Sequence, residues 1–250
     1  SLKDQEKKLN QEISQLTFSG LNTDKLIAAK QELAGVEQAI ASLSERGIDN
    51  TKELERVAPL LCAGITTYSP LKYAGVGKGH KVAVLGLGGL GHMGVKFAVS
   101  MGAEVTMLST SPSKENDAKM LGAHHFALST DKDQMKALRG QFDFILNTVA
   151  AKYDLNKFLD LLTVEGKMLL VGIPPEDNEL GSAKLISRRR SIIGSNVGGI
   201  AETQEMLDYC AEHNILSDVE MIQMKDINEA YTRISNSDVK YRFVIDMASM

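Results

Sequence analysis

At 250 residues, with 43% hydrophobic and 24% charged residues, the sequence has the make-up of an ordinary globular protein, either one large domain or a mid-sized domain with an appendage. A formal net charge of −4 speaks against a nucleic-acid or anionic-membrane partner, and Arg188-Arg189-Arg190 reads as a solvated segment between two elements. Only two cysteines, Cys62 and Cys210, exclude a disulfide framework or a cysteine-rich zinc module, no apolar run approaches the roughly 18 residues of a membrane span, and the N-terminus lacks the apolar centre of a secretory signal, so the expectation is a cytoplasmic protein.

The first fifty residues differ from the rest. Leu2, Leu9 and Leu16 recur every seven residues with Ile13 between them, and a second series runs Leu26, Leu33, Ile40 with Ala29, Val36 and Leu43. Spacing near 3.5 residues predicts two helices closing as an αα-hairpin over residues 1–54, the second capped within Asn22-Thr23-Asp24 and stopped at Gly47. A third helix is expected from Asn50, with Glu53 three residues on.

From residue 80 the pattern becomes strand–helix alternation. Strands are expected at Lys81 to Leu85, Glu104 to Ser109, His125 to Ala127, Phe142 to Asn147, Lys167 to Val171 and Ser191 to Gly194. Helices are expected at Gly91 to Met101, Lys114 to Leu121, Leu155 to Leu162 and Ala201 to His213. This alternation implies an α/β doubly wound parallel sheet over residues 55–221, preceded by the helical hairpin, with 222–250 as a separate C-terminal segment.

Gly86-Leu87-Gly88-Gly89-Leu90-Gly91 is a G-x-G-x-x-G that follows a strand, opens a helix and precedes a second strand, the context its dinucleotide-binding chemistry needs. Gly86 permits the turn, Gly88 lets backbone approach a pyrophosphate, and Gly91 lets helix lie on strand, while the amides of Gly89, Leu90 and Gly91 face the phosphates. NAD binders usually place Asp or Glu at the end of the second strand, roughly 20 residues on, to hold the ribose 2′-hydroxyl. Here Ser109-Thr110-Ser111-Pro112-Ser113-Lys114 stands instead, and hydroxyls with a lysine suit a 2′-phosphate, so NADP(H) is the expected cofactor. The same residues also serve as an ordinary Ser/Pro turn capping the next helix.

Several stretches in order resemble the cinnamyl alcohol dehydrogenase branch of the zinc-dependent, medium-chain alcohol dehydrogenases. They are Ala58 to Leu71, Gly86 to Gly94 with His92-Met93, Ser109 to Lys114, Gly172-Ile173-Pro174, Ser195 to Gly199 and Tyr241 to Asp246, spanning residue 55 to the C-terminus. The resemblance implies strand order 3-2-1-4-5-6, a homo-oligomer paired along the sixth strand, and a C-terminal segment that returns to a catalytic domain. It implies a catalytic zinc ligand at Cys62, a nicotinamide pocket at Thr67 with the backbone around Val149, Val171 and Ile173, a 2′-phosphate site at Ser109, Thr110, Ser111 and Lys114, and a ribose contact at Asn196. Aldehydes and primary alcohols would be the substrates.

The departure from that family is equally plain. Its β-rich N-terminal domain carries the other catalytic zinc ligands, a cysteine and a histidine, whereas residues 1–54 contain neither residue type. A catalytic zinc takes about three protein ligands and an open position, which Cys62 alone does not supply unless partner ligands come from elsewhere. Read without the family, Cys62 is a small buried hydrophobe, and Cys210 is helix core. The expected function is therefore an NADP(H)-binding domain of an alcohol dehydrogenase-like oxidoreductase, catalytically incomplete as this chain. The alternative is a non-catalytic NADP(H)-binding interaction or scaffold protein that uses the N-terminal helices.

Overall fold

The computed structural model describes residues 2–19, 30–31, 34–35 and 50–249, and the chain divides into two compact units, Ser1–Ala58 and Pro59–Met250. In the first unit α1 spans Leu2–Ser19 and α2 spans Asn50–Val57, the latter where the Asn50 signal placed a helix. The second series of the expected hairpin lies for the most part outside the described residues; residues 30–31 and 34–35 within it are helical. No described helix is long and apolar enough to cross a membrane.

The second unit opens with α3 (Ala63–Ala74) and then alternates strand and helix: β1 (Lys81–Leu85), α4 (Gly91–Ser100), β2 (Glu104–Ser109), α5 (Glu115–Met120), β3 (His125–Leu128), α6 (Lys132–Ala137), β4 (Phe142–Asn147), α7 (Leu155–Leu159), β5 (Leu162–Leu170), α8 (Ser182–Ile186), β6 (Ser191–Gly194) and α9 (Ile200–Glu212). The six strands form one parallel sheet in the order β3-β2-β1-β4-β5-β6. The central strands read as unbroken apolar runs because both faces of the sheet are covered. Ala83 and Leu85 belong to a cluster with Leu108, Ile145, Phe158, Leu159 and Met168, while Val84, one residue out of phase, meets α4 together with Leu146. On the α4 side, Tyr68 of α3 sets its ring against Phe97 of α4 (5.4 Å) and Tyr209 of α9 (5.3 Å), and donates its hydroxyl to Glu205 (3.0 Å).

Two expectations need correction. The helix begun at Leu155 stops at Leu159, and β5 starts at Leu162 rather than Lys167. Leu161 and Leu162 are both fully buried, and the Leu161 carbonyl accepts from Gln141 N (2.8 Å) and Phe142 N (3.0 Å), so pairing with the neighbouring strand wins over helical periodicity. The pairing of β4 with β5 shifts register between Phe142 and Phe144, which takes up the residues that had hidden the strand. The short helix α6 was not foreseen, although Asp131 caps it by accepting from Asp133 N (2.9 Å) and Gln134 N (3.1 Å).

The last segment holds β7 (Val219–Gln223), α10 (Ile227–Ser235) and β8 (Arg242–Asp246), with β7 and β8 forming a separate two-stranded parallel sheet. This segment belongs to the same compact unit as the six-stranded sheet.

Within α4 the helix packs closely on the sheet at Gly94, where a Cβ would come within 2.6 Å of Leu146 Cδ2. Gly94→Val is expected to destabilise the protein by about 1–3 kcal/mol, because branched bulk in a closed core forces backbone shifts. The midpoint of urea unfolding checks this, and an unchanged midpoint would contradict the close packing.

Candidate functional site

In a parallel sheet every strand points the same way, so the turns after β1, β2, β4, β5 and β6 gather at one edge, where such folds bind ligands. The register places Leu85 beside Leu108 and Asn147, Asn147 beside Leu170, and Leu170 beside Gly194. The turn Gly86–Gly91 is therefore central to that edge.

The geometry of this turn requires its glycines. Gly86 sits at φ 92°, and a side chain there would also crowd Val149 Cγ2 at 2.9 Å. A Cβ on Gly91 would collide with the Gly86 carbonyl, so only glycine lets α4 start this close to β1. Gly88 is exposed, with open space where a Cβ would lie. Leu90 caps α4 without a side-chain bond, and the first amides of a helix have no intrahelical partner. The amides from Gly89 onward thus present positive potential at the crevice.

A cavity of about 480 Å³ lies over the turn, lined by Gly86, Gly88, Gly89, Lys114, Tyr241 and Arg242 among others. Lys114 reaches it from the turn after β2 and donates to the Leu87 carbonyl (2.7 Å), and burial pulls its ammonium below the usual lysine range. Ser109, at the end of β2, is buried and its Oγ accepts from Ser111 N (3.2 Å), while Ser111 Oγ meets Ser113 Oγ (2.8 Å). Thr110 is exposed beside them. The second-strand turn is thus a hydroxyl-rich loop with one cation and no carboxylate at its strand end.

Sequence reasoning assigned no role to the roof of this cavity. The chain from Ile234 to Phe243 crosses it, and the Arg242 side chain lies so close above Gly89 that a Cβ there would overlap its Nε. That Nε is buried with no hydrogen-bond partner among the described residues. The only prior signal was that Tyr241-Arg242-Phe243 fell inside a family-like stretch. Lys240 anchors the roof by an ion pair to Asp117 of α5 (2.7 Å).

Beneath the turn, His92 is wholly buried and stacks on Tyr241 with ring centroids 4.9 Å apart. Its Nε2 accepts from Asp218 N (3.4 Å), which leaves Nδ1 to donate to the Gly88 carbonyl (3.3 Å). Burial, reinforced by Lys96 nearby, pushes this imidazole down to about 4, so it is neutral and links the glycine turn to the C-terminal segment.

The remaining expected residues are distributed along the same edge or away from it. Val149 follows β4, Val171 is buried just past β5, Ile173 is 78% exposed in the next turn, and Asn196 is exposed after β6. Thr67 is buried in α3 with its hydroxyl spent on the carbonyls of Ala63 (2.7 Å) and Gly64 (3.1 Å) of its own helix. Cys62 stands exposed at the start of α3, where burial had been expected, and Cys210 is buried with its Sγ on Met206 Sδ (3.5 Å). Among the described residues, which include both cysteines and all five histidines, no three His, Cys, Asp or Glu come together as a metal site. This donor set does not fit a zinc ion, and no step is assigned to one.

Comparison with known proteins matches residues 89–212 to the zinc-binding dehydrogenase family. Aldehyde reductase YahK of Escherichia coli is 55% identical over 196 residues, which are 78% of this chain and 56% of that protein. Among solved structures, a cinnamyl alcohol dehydrogenase of Sorghum bicolor aligns with a TM-score of 0.76 and 45% identity over 78% of this chain and 56% of its own. The CAD of Helicobacter pylori complexed with NADP(H) aligns with a TM-score of 0.73 and 47% identity over 80% of this chain and 57% of its own. The chain spans a little over half the length of these relatives.

A neutral base buried this deeply links stability to pH. The unfolded chain takes up a proton at His92 near the ordinary value of 6.5, the folded chain only near 4, so stability is intact above 6.5 and drains as pH falls toward 4. The expected loss from this residue is up to about 3 kcal/mol. Urea midpoints at pH 7 and pH 4.5 should converge in His92→Gln relative to the wild type; an identical pH slope in both proteins would refute the assignment.

Proposed function

We propose, from its match to the zinc-binding dehydrogenase family over residues 89–212, that the chain binds NADP(H) as the cofactor half of an aldehyde- or alcohol-directed oxidoreductase. The observation that carries this is the cationic cavity at the glycine turn. Gly88 offers open backbone, α4 offers its first amides, and the buried Arg242 Nε waits without a partner directly above Gly89. A diphosphate supplies the charge and acceptors those groups lack, so the residues present fit the cofactor. In this reading Lys114 and the hydroxyls of Ser109, Thr110 and Ser111 receive the 2′-phosphate, which a carboxylate would repel.

When bound, the nicotinamide supplies or accepts the hydride exchanged with the substrate carbon. The chain's own residues bind and orient. The turn after β1 and Arg242 hold the diphosphate, and the turn after β2 selects the phosphorylated ribose. The turns carrying Val149, Val171 and Ile173, with Asn196 beyond β6, border the nicotinamide end. Thr67 donates no proton in this reading, since its hydroxyl is committed within α3. Cys62, exposed and part of no group of three donor side chains among the described residues, supplies one thiol in this reading. Pairing of two copies along β6 is part of the same proposal.

Titration with NADPH and NADH, read by nicotinamide fluorescence, tests it. NADPH is expected to bind the more tightly; equal affinity or a preference for NADH would overturn the role given to Ser109 and Lys114. Lys114→Ala should weaken NADPH about tenfold or more with little change for NADH, as a charge-assisted hydrogen bond to phosphate is lost. Arg242→Ala should weaken both nucleotides by a similar factor, since the diphosphate is common to them. A selective loss of NADPH in Arg242→Ala would place that residue on the 2′-phosphate instead.

A further inference from the structure

Asn147 is wholly buried at the carboxyl end of β4 and ties together the turns that border the nicotinamide end. Its carbonyl accepts from Val171 N (3.1 Å) and Gly172 N (3.2 Å), just past β5. Its side-chain Oδ1 accepts from Val149 N (3.0 Å), and its Nδ2 donates to the Tyr153 hydroxyl. Tyr153 is held by an edge-on contact with Phe158 at 5.9 Å, and its hydroxyl also meets the Asn178 side chain from the turn after β5. Val149 itself is wedged. Its carbonyl lies where a Cβ on Gly172 would be, and its Cγ2 stands 2.9 Å from where a Cβ on Gly86 would be. The neighbouring Thr148 hydroxyl donates to the carbonyls of Leu85 (2.9 Å) and Gly86 (3.1 Å). A buried strand end in a parallel sheet is ordinarily apolar, and burying an amide side chain is costly unless its hydrogen bonds are all made. An asparagine with a tyrosine dedicated to it is thus best explained by the backbone it orients.

We propose that Asn147 and Tyr153 are a positioning pair: through the Val149 N–H and the carbonyl shared by Val171 and Gly172, they fix the turns after β4 and β5 in the shape that seats the nicotinamide ring. The proposal rests on the NADP(H) reading above. It predicts that the pair acts on the nicotinamide half of the cofactor and is silent toward the adenosine half, which binds at the turns after β1 and β2.

The test uses Tyr153→Phe, which keeps the ring and removes only the hydroxyl, and Asn147→Ala as a second variant. Affinity is measured for NADPH and for adenosine 2′,5′-bisphosphate, which lacks the nicotinamide, with thermal unfolding recorded alongside. In Tyr153→Phe, NADPH affinity should fall about 2–10-fold, the loss of one buried hydrogen bond, with weaker enhancement of nicotinamide emission. Affinity for the bisphosphate should stay within about twofold of the wild type, since no hydrogen bond to it is removed. Equal weakening of both ligands, or no change in either, overturns the proposal. Should Asn147→Ala fail to fold, Tyr153→Phe decides alone. A wild-type chain that binds the bisphosphate and NADPH equally well denies the nicotinamide a seat and overturns this inference while leaving the phosphate sites standing; one that binds neither overturns the NADP(H) reading itself, and this inference with it.

Discussion

The site depends on one close approach, the start of α4 against the Gly86 carbonyl. With no side chain at Gly91 the helix begins directly on the end of β1, and its first amides project into the crevice instead of being spaced away from the sheet. Any Cβ at that point would push the helix off the strand and turn those amides aside. The rest of the edge is fitted to this contact. Thr148 donates to the Leu85 and Gly86 carbonyls from the next strand over, and His92 donates to the Gly88 carbonyl from within α4. The loop is therefore braced from the β4 side and from below, so little ordering remains for a ligand to impose when it arrives.

Electrostatics complete what the backbone begins. The chain as a whole is acidic, yet Lys114 and Arg242 both line the cavity at the glycine turn. Asp117, close to Lys114, is ion-paired with Lys240 of the roof. His92 lies under the same turn but is held neutral by burial, which spares the core an unpaired charge and keeps its two nitrogens as one acceptor and one donor. Cations are thus presented where an anion would come, and a neutral ring is used where only hydrogen bonding is needed.

Much of this was legible in the sequence, for a physical reason. Lys81 to Leu85, Glu104 to Ser109, Phe142 to Asn147 and Ser191 to Gly194 are short apolar runs ended by glycine or polar residues, and each became a strand with those ends. The glycine turn was legible because its conformation allows few other residues. What escaped depends on distant pairing. Leu162 joins β5 only because Phe142 is beside it, and α10 with β7 and β8 lacked long runs of their own. The roof was hidden for the same reason: Arg242 is far from Gly89 in sequence, and no local pattern tells a solvated arginine from one whose Nε is buried over a glycine turn. Thr67 illustrates the converse, a residue type suited to a pocket whose hydroxyl its own helix consumes.

These observations separate binding from chemistry in this molecule. Every group proposed for the diphosphate and 2′-phosphate lies within Pro59–Met250, a single compact unit. The donors that would polarise a substrate oxygen are another matter, because among the described residues Cys62 belongs to no group of three His, Cys, Asp or Glu side chains. Electrostatic stabilisation of a developing alkoxide requires donors fixed within hydrogen-bonding reach of the reacting oxygen. The proposed phosphate site has such fixed donors in α4, Lys114 and Arg242, whereas Cys62 belongs to no group of three metal-binding side chains among the described residues. In the proposed reading the fold invests its rigidity at the diphosphate end, with Asn147 and Tyr153 extending it toward the nicotinamide.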